Sequence, residues 1–436
     1  MRRRSGNGTA IAPLTVLMAR VFDEWSDRAL AGVAAFVVAG SVARGAWAQA
    51  QAQPMTFDPG HGPISGSTRY VGMAGAFVAI ADDTEGVAIN PAADAVRLPY
   101  SWHRWDFGFG LDVAIGAWLP KNDIYNQGSS NAGKSSALFG SLAVVVNYDQ
   151  LGFGLAAEAQ RNAATQADQT QGITPTSLSA NFGVMHASLA YGYLDGQLLI
   201  GAGPRLVGAS LGGSAGSGLF GAAGVGYEGG FIVKPIASPY RLAAAVKSPI
   251  DATVPGNSST VHVPWELAFG AAYQFGDRPL NPRFVTAEQV ARQRSETSEP
   301  SKAELKAAED ELFDRYEKRE RFYLLVSSEL AVVQGNSQAG VGPQDASRAA
   351  PILSPRLGLE SEVIPHILKL RGGSYYEPAL TGQMSGRVHG TGGFDVRLFE
   401  WNVFGLIKRF DYWKLSVAAD AARSYLNTSF TVGFWH

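Results

Sequence analysis

Residues 105–119 have the sequence WDFGFGLDVAIGAWL, in which every odd-numbered position is apolar. The residues between them are mainly glycine, alanine and aspartate. An apolar repeat of two residues is that of a β-strand, because an amphipathic helix repeats every 3.6 residues. The stretch therefore predicts a strand with one apolar face and one face of small or acidic side chains.

The same alternation recurs along most of the chain. It is strong at residues 151–160 and 265–275, where large apolar residues alternate with glycine or alanine. Weaker versions of the pattern follow at residues 137–148, 179–193, 197–207, 221–234, 240–248, 322–334, 351–363, 367–376, 389–400, 412–422 and 426–435. Together these segments predict about fourteen strands, and an even number returns both ends of the chain to one side of the sheet.

The composition favours a membrane barrel over a water-soluble β-sandwich. Only 17% of the 436 residues are charged, against about 25% in an average protein. A sandwich would bury its apolar face and expose charge on the other, whereas here the second face consists of glycine, alanine and few charges. The predicted fold is all-β, a transmembrane antiparallel barrel formed by residues 105–436.

The predicted connections between strands alternate in length. Asp149-Gln150 and Asp195-Gly196 fit short turns, whereas the stretches 161–178 and 335–350 are long and polar. Outer-membrane barrels have short turns on the periplasmic side and longer loops on the outside. The short turns are accordingly predicted to be periplasmic.

The N-terminal region fits a secretory signal peptide. Arginines at positions 2–4 precede an apolar run at residues 29–42, and Ala46-Trp47-Ala48 supplies a site with small residues. Fourteen apolar residues fall short of the roughly 20 that a spanning helix needs. We predict that residues 1–48 are removed, with positions 50 and 52 as alternative cleavage points, and that the barrel lies in the bacterial outer membrane.

Catalytic, cofactor and nucleic-acid functions find no support in the sequence. The absence of cysteine excludes disulfides and thiolate chemistry, and the net charge of −2 gives no basic face for nucleic acid. The seven histidines lack metal-ligand spacing. Asp82, Asp83 and Glu85 fit a solvated turn better than a cation site. No enzyme activity and no cofactor are predicted.

Two short motifs imitate catalytic signatures. Residues 128–135 match the phosphate-binding pattern G-x-x-x-x-G-K-S, but polar residues precede them and a predicted strand follows, where a helix is required. Residues 208–212 match the hydrolase pattern G-x-S-x-G, but a glycine-rich stretch follows that cannot hold a helix. We interpret both as outward-facing loops.

The stretch before the first strand has no alternation and contains three short motifs. They are GMAGAF at residues 72–77, Asp82-Asp83, and Asn90-Pro91-Ala92. Further along, Lys247-Ser248-Pro249 and the pattern P-x-x-x-x-x-G-x-x-Y at residues 264–273 add to them. This set resembles the FadL/TodX family of outer-membrane transporters for long-chain fatty acids and aromatic hydrocarbons.

The resemblance implies a transport mechanism. Residues 49–104 would form a hatch inside a fourteen-stranded barrel, and a hydrophobic ligand would pass from an outer groove into the lumen and leave sideways into the membrane lipid. The hatch residues implied in transport are Gly72, Gly75, Phe77, Asn90, Pro91 and Ala92. The gap would lie at the third strand, residues 151–160, which opens with Leu151, Gly152, Phe153 and Gly154 and would face the Asn-Pro-Ala turn.

Other partners follow from resemblance as well. The alternating aromatics at residues 429–436 resemble the C-terminal signal recognised by the outer-membrane assembly machinery. PorV-type proteins, which escort secreted cargo, share the hatch signature. The alternative function is therefore an outer-membrane protein that escorts or anchors such cargo.

A charged insert interrupts the strand pattern at residues 277–321. Eighteen of the 36 residues from position 286 to 321 are charged. Thr286 with Gln289 and Ser301 with Glu304 fit capping boxes, so two helices are predicted, and an apolar face follows. That face consists of Leu305, Ala308, Leu312 and Tyr316. The insert falls on the predicted periplasmic side, where it is either a solvated spacer or a docking arm for a periplasmic protein.

Overall fold

The computed structural model describes twelve parts of the chain. They are residues 62–98, 101–115, 126, 135–166, 176–213, 218–253, 260–294, 299–318, 321–335, 351–378, 385–400 and 412–435. The predicted signal peptide, the first part of the predicted hatch and most of the G-x-x-x-x-G-K-S motif lie outside these residues.

Sixteen strands are found within the described residues. They are β1 (Trp105–Ile115), β2 (Ser135–Tyr148), β3 (Leu151–Gln166), β4 (Thr176–Tyr193), β5 (Leu198–Gly213), β6 (Gly218–Val233), β7 (Tyr240–Lys247), β8 (Ile250–Thr253), β9 (Thr260–Val263), β10 (Glu266–Phe275), β11 (Leu324–Val333), β12 (Ile352–Ile364), β13 (Leu368–Glu377), β14 (Arg387–Glu400), β15 (Tyr412–Ala422) and β16 (Tyr425–Trp435). Fourteen of them, all except β8 and β9, pair in chain order as antiparallel neighbours. Since β1 also pairs with β16, through Leu111 and Val432, the sheet closes into a barrel. The predicted fourteen-stranded barrel is confirmed.

The two faces of the barrel wall differ as the alternation predicts. Large apolar side chains point outward and are exposed on all sides of the barrel, among them Trp105, Phe107, Phe153, Leu189, Tyr227, Phe269, Leu357, Val388 and Val432. The side chains between them point inward, where they are small or are buried polar and charged groups. An apolar outer surface around a polar interior is typical of barrels that span membranes.

A short hairpin made of β8 and β9 was not predicted from the sequence. Ile250 pairs with Val263, and among the described residues one strand pair, Ala223 with Thr253, joins the hairpin to β6. Strands of four residues are too short to show an alternation that differs from chance. The inward-facing glycines 224 and 226 of β6 leave the space that Ile250 and Ala252 occupy, so the hairpin lies on the inner side of the wall.

The two ends of the barrel carry different connections. The turn end holds the links at residues 149–150, 194–197, 234–239 and 365–367, together with the charged insert. The opposite end, which we name the loop end, holds the two-residue turn at Arg423 and Ser424. The insert thus lies at the same end as the short turns, as strand parity predicts.

Two stretches that the sequence predicts to be loops belong wholly or partly to strands. The G-x-S-x-G motif lies within β5, not in a loop, because Ser210 pairs with Asn181 of β4 and with Gly221 of β6. Those two ladders satisfy the backbone groups that a loop would leave to water. Strands β3 and β4 likewise extend to Gln166 and from Thr176, so they take up part of the predicted connection at 161–178.

The charged insert contains the two predicted helices. Helix α3 (Ala287–Arg294) begins with two reciprocal hydrogen bonds between Thr286 and Gln289. The Gln289 backbone N–H donates to Thr286 Oγ1 at 3.2 Å, and the Thr286 backbone N–H donates to Gln289 Oε1 at 3.0 Å. Helix α4 (Lys302–Glu317) begins with a complete capping box between Ser301 and Glu304. No helix among the described residues has the length and hydropathy to span a membrane.

The apolar face of α4 is covered by the same chain. Leu305, Ala308, Leu312 and Tyr316 pack with α3 and with Trp102, which precedes β1. The Trp102 ring lies 6.4 Å from the ring of Phe313, measured between centroids, and its carbonyl accepts from the Ala287 backbone N–H at 2.8 Å. The insert is therefore fixed to the turn end of the barrel, and its charged side remains outward.

Replacing Trp102 by alanine should release the insert while the barrel stays assembled. Truncating a buried tryptophan costs about 3–5 kcal/mol, and here that loss falls on the helical pair rather than on the strand ladders. We expect trypsin to cleave within residues 286–321 at least tenfold faster than in the wild type. Trp105→Ala, at an exposed tryptophan on the outer surface of β1, is the matched control. Equal cleavage rates for Trp102→Ala and the wild type would contradict this role.

Candidate functional site

Residues 62–98, which we name the lumen segment, fill the inside of the barrel. Helix α1 (Thr68–Gly72) contacts β13 to β16 and β1, and helix α2 (Asp83–Gly86) contacts β1 and β2. A 3₁₀ helix (Pro91–Ala95) contacts β2 to β6. Val78 approaches the remaining side at Gly270 of β10. A single segment that contacts strands around the whole ring lies within the ring.

The first turn of the lumen segment depends on one glycine. Ser67 Oγ accepts from the Tyr70 backbone N–H at 3.2 Å and so caps α1. Gly75, just after the helix, has a φ of +71°, a conformation that favours glycine over every other residue. At Gly72 an added Cβ would only meet the Arg371 side chain at an ordinary 3.5 Å. Of the two predicted hatch glycines, Gly75 is therefore the one that the backbone requires.

Phe77 lies at the centre of the packed lumen. Its side chain is fully buried and meets the Tyr70 ring edge-on, at 6.1 Å between centroids. The backbone N–H groups of Phe77 and Val78 both donate to Glu329 Oε2 of β11, at 2.9 and 2.8 Å. Arg356 of β12 in turn donates to Glu329 Oε1 at 2.8 Å. A buried ion pair on the wall thus holds the middle of the lumen segment.

Asn90 organises the 3₁₀ helix and connects it to the wall. Its Oδ1 accepts from the Ala92 backbone N–H at 3.1 Å, and its Nδ2 donates to the carbonyls of Val78 and Phe231. Pro91 occupies the first position of the helix, where a missing N–H costs nothing. The Asn-Pro-Ala motif is therefore a capped helix start bound to β6.

Inward-facing glycines on three strands leave room for this helix. A Cβ on Gly152 of β3 would overlap the Asp94 carbonyl, and one on Gly154 would overlap the Asp94 carboxyl group. A Cβ on Gly201 of β5 would overlap the Pro91 carbonyl, and one on Gly230 of β6 would overlap the Asn90 side chain. The predicted exit-strand residues therefore divide by face: Gly152 and Gly154 point to the lumen, while Leu151 and Phe153 are exposed on the outside. Asn90 and Pro91 face β6 and β5, and β3 faces Asp94.

Asp94 is a buried acid in contact with the wall. Ser188 Oγ of β4 donates to Asp94 Oδ2 at 2.6 Å, and Asn147 of β2 donates to the Asp94 carbonyl. Among the described residues, Asp94 Oδ1 has no hydrogen-bond partner. Burial raises the pKa of Asp94 to about 8. Much of this carboxyl group is therefore neutral at pH 7, which suits an apolar surrounding.

The ladder between β4 and β5 lacks two residue pairs beside Asp94. Strand β3 pairs with β2 and β4 along its length without a shift of register. In the β4–β5 ladder, however, the pairs pass from His186 with Arg205 to Leu189 with Ala202. The residues skipped on the β5 side are glycine and Pro204, and proline has no N–H to donate to a neighbouring strand. On the β4 side the skipped residues are Ala187 and Ser188, so the unpaired stretch includes the partner of Asp94.

The loop half of the lumen next to this wall is apolar. A buried cluster there combines inward side chains of β4 to β6 with the β8–β9 hairpin. Its members are Phe182, Val207, Ala209, Ala222, Ile250, Ala252 and Val263, with Val184 packed against them. An apolar solute would find more favourable contacts here than in water.

The turn half of the lumen is ionic. Arg371 of β13 donates to Glu360 of β12 at 2.6 Å and, through both terminal nitrogens, to Asp395 of β14 at 2.5 Å. Arg69 of the lumen segment adds a second donor to Glu360 at 2.8 Å. These charges are almost fully buried and pair with one another, so they fix the segment to the wall.

No described group of histidine and acidic side chains has the geometry of a metal site. Two histidines lie between acidic side chains. His186 of β4 has its Nδ1 2.8 Å from Glu228 of β6 and its Nε2 3.7 Å from Glu158 of β3. His389 of β14 has its Nε2 2.6 Å from Glu377 of β13 and its Nδ1 2.8 Å from Asp420 of β15. The first histidine connects β3, β4 and β6 on the lumen side, and the second connects β13, β14 and β15. We therefore interpret both as part of the wall.

Comparisons with known proteins find distant structural similarity. No family model matches the chain, and no curated protein matches it. A CymD monoaromatic hydrocarbon channel is 13% identical, with a TM-score of 0.49, over 86% of this chain and 96% of that one. A Pseudomonas aeruginosa FadL homologue is 12% identical, with a TM-score of 0.49, over 86% and 98%. The P. putida toluene transporter TodX is 14% identical, with a TM-score of 0.47, over 84% and 96%. The fold assignment rests on the strand pairing given above.

Proposed function

We propose that this chain is a bacterial outer-membrane transporter for passive uptake of hydrophobic small molecules, of the FadL/TodX type. Long-chain fatty acids and aromatic hydrocarbons are the ligand classes that its hatch motifs suggest. The observation that carries the proposal is a closed barrel, apolar outside, whose lumen is filled by the segment bearing those motifs. A lumen filled in this way is unsuited to the water channel of a general porin.

The distribution of polarity in the lumen supports a hydrophobic ligand. The cluster around Phe182 and Ile250 offers an apolar surface in the loop half, which faces outward if the short turns are periplasmic. The ionic pairs around Arg371 occupy the turn half. An apolar molecule would gain contacts at the apolar cluster and meet a desolvation cost at the ionic pairs.

We further propose that the ligand leaves sideways, near the 3₁₀ helix. The sequence pointed to the third strand, and Gly152 and Gly154 of β3 do face Asp94. The adjoining β4–β5 ladder, with its unpaired stretch, needs fewer hydrogen bonds to be broken for an opening. We therefore favour an exit between β4 and β5 beside Ser188.

Uptake of a labelled long-chain fatty acid tests this function. Cells lacking their own transporter should show saturable uptake when they express this protein, and deletion of residues 90–92 should reduce it to background. That deletion removes the start of the 3₁₀ helix, while the barrel ladders remain. Deletion of residues 296–298, between the two insert helices, is the matched control and should leave uptake unchanged.

The same assay distinguishes transport from the alternative function, the escort of secreted cargo. Insertion of each variant is checked by its heat-dependent mobility on a gel and by surface labelling. Full uptake by a correctly inserted 90–92 deletion would contradict the role of the hatch. No uptake by the inserted wild type would contradict transport and favour the escort of secreted cargo.

A further inference from the structure

A small cavity lies at the turn half of the lumen, between the lumen segment and the barrel wall. Its volume is about 100 Å³, well under the roughly 300–1,000 Å³ of sites that enclose a drug-sized molecule. It can admit several waters or one compact group. It is separate from the apolar cluster in the loop half, since the two share no residue.

The wall of this cavity carries more positive than negative charge. Eight arginine and lysine side chains line it, against five aspartate and glutamate side chains. Glu362, which does not line the cavity, lies 3.3 Å from Arg278 and compensates the charge of this one further cation. With every side chain counted in its usual ionised form, an excess of two positive charges remains around the cavity.

Most of these cations already have partners. Arg371 pairs with Glu360 and Asp395, Arg69 pairs with Asp82 at 2.7 Å, and Lys414 lies 3.3 Å from Glu85. Arg241 donates through Nε to Asn281 Oδ1 at 2.7 Å and through Nη2 to the Leu280 carbonyl at 2.9 Å. Its Nη1 reaches Asp82 only at 3.8 Å, so this nitrogen is the one available to an anion.

Lys234, which follows β6 at the turn end, differs from these cations. Its side chain lines the cavity and is only 8% exposed. Among the described residues, none forms a hydrogen bond or an ion pair within 4.0 Å with its ammonium group. Burial, together with the nearby positive charge of Arg241, lowers the pKa of Lys234 to about 7. A buried ammonium without a partner is costly, and a bound anion would remove that cost.

We infer that this cavity is a binding site for a compact oxyanion, a phosphate or carboxylate group, held by Lys234 and Arg241. Both side chains supply N–H donors of the kind that bind such groups. The volume fits one such group and excludes a whole long-chain ligand. This site is distinct from the hydrophobic path, and it stands whether or not the chain transports hydrophobic molecules.

Calorimetric titration of the full-length protein in a neutral detergent tests the inference. Sodium phosphate and sodium octanoate are titrated separately at pH 6.5 and constant ionic strength. We expect the wild type to bind at least one of them and Lys234→Met to bind it at least tenfold more weakly. Lys302→Met, at an exposed lysine of α4, is the matched control and should bind within twofold of the wild type. Binding of phosphate alone indicates a free inorganic anion, and competition by octanoate indicates the head group of a larger acid.

A second measurement needs only the wild-type protein. Phosphate or octanoate should slow the reductive methylation of Lys234 at least threefold, as followed by mass spectrometry, while Lys302 reacts at an unchanged rate. If neither anion binds, if Lys234→Met binds like the wild type, or if Lys234 is not protected, the inference is wrong. The uptake assay described above fails or succeeds independently of these results.

Discussion

Joining β4 to β5 with a disulfide should reduce uptake of a hydrophobic ligand to background. Leu189 and Ala202 are direct partners across this ladder, next to the unpaired stretch, and both are exposed on the outer surface. Paired residues in antiparallel strands have Cα atoms about 4.5–5.5 Å apart, a separation that a disulfide spans. Because the chain contains no cysteine, Leu189→Cys with Ala202→Cys introduces the only possible bond.

The reason for the large effect is geometric. If the ligand leaves between β4 and β5, a covalent link beside the opening prevents the strands from separating. Reduction of the disulfide should restore uptake in the same cells. The measurement is the initial rate of fatty-acid uptake before and after addition of a reductant, with the cross-link confirmed by mass spectrometry.

A disulfide between β2 and β3, two ladders away, is the matched control. Phe153 and Val146 are direct partners between β3 and β2, so cysteines there link the strands on the far side of the predicted exit strand. We expect that oxidised variant to transport at the wild-type rate. Unimpaired uptake by the oxidised β4–β5 variant would contradict our position for the exit, and a block by the β2–β3 link instead would favour an opening at the β2–β3 side of the third strand.

Replacing Arg371 by methionine should destabilise the barrel more than any other single change considered above. The substitution leaves the carboxylates of Glu360 and Asp395 buried without their shared partner. Removing one member of a buried ion pair costs about 3–5 kcal/mol, because the remaining charge has lost its compensation. We expect a fall of that size in the free energy of unfolding, measured with guanidinium in lipid vesicles by tryptophan fluorescence.

Arg104→Met provides the comparison. Arg104 also contacts a carboxylate, Asp149, at 2.7 Å, but the pair is exposed at the turn end. Exposed pairs of this kind contribute little to stability, so the unfolding midpoint should stay where it is in the wild type. If Arg371→Met unfolds at the wild-type midpoint, the ionic cluster does not hold the lumen segment to the wall.

The strands of the barrel could be predicted from the sequence because the alternation that marks each strand lies within that strand's own residues. In stretches such as residues 105–119, each side chain shows by its position alone whether it points out or in. All fourteen predicted barrel strands are confirmed, with their ends displaced by a few residues. The capping boxes at Thr286 and Ser301 are local in the same sense, and both are present.

The contacts between the lumen segment and the wall could not be predicted in this way. Asp94 meets Ser188 across 94 positions of sequence, and neither residue belongs to a recognisable motif. Gly201 and Gly230 make room for the 3₁₀ helix, yet in the sequence they resemble every other inward-facing glycine. Lys234 follows a strand without any signal in its neighbours. Such residues gain their significance from register and closure, which arise only when the whole ring is assembled.

The separation of the apolar cluster beside β4 to β6 from the ionic cluster of the turn half has a kinetic consequence. A dissolved hydrocarbon would partition into the half near Phe182 and Ile250, and its residence there would lengthen because further axial movement leads toward buried charge. Passage along the barrel axis is then blocked, and net flux requires a lateral exit through the wall into the membrane. On that basis the steady rate of uptake would follow the capacity of the surrounding bilayer to dissolve the solute, rather than the concentration of any acceptor in the aqueous phase beyond it.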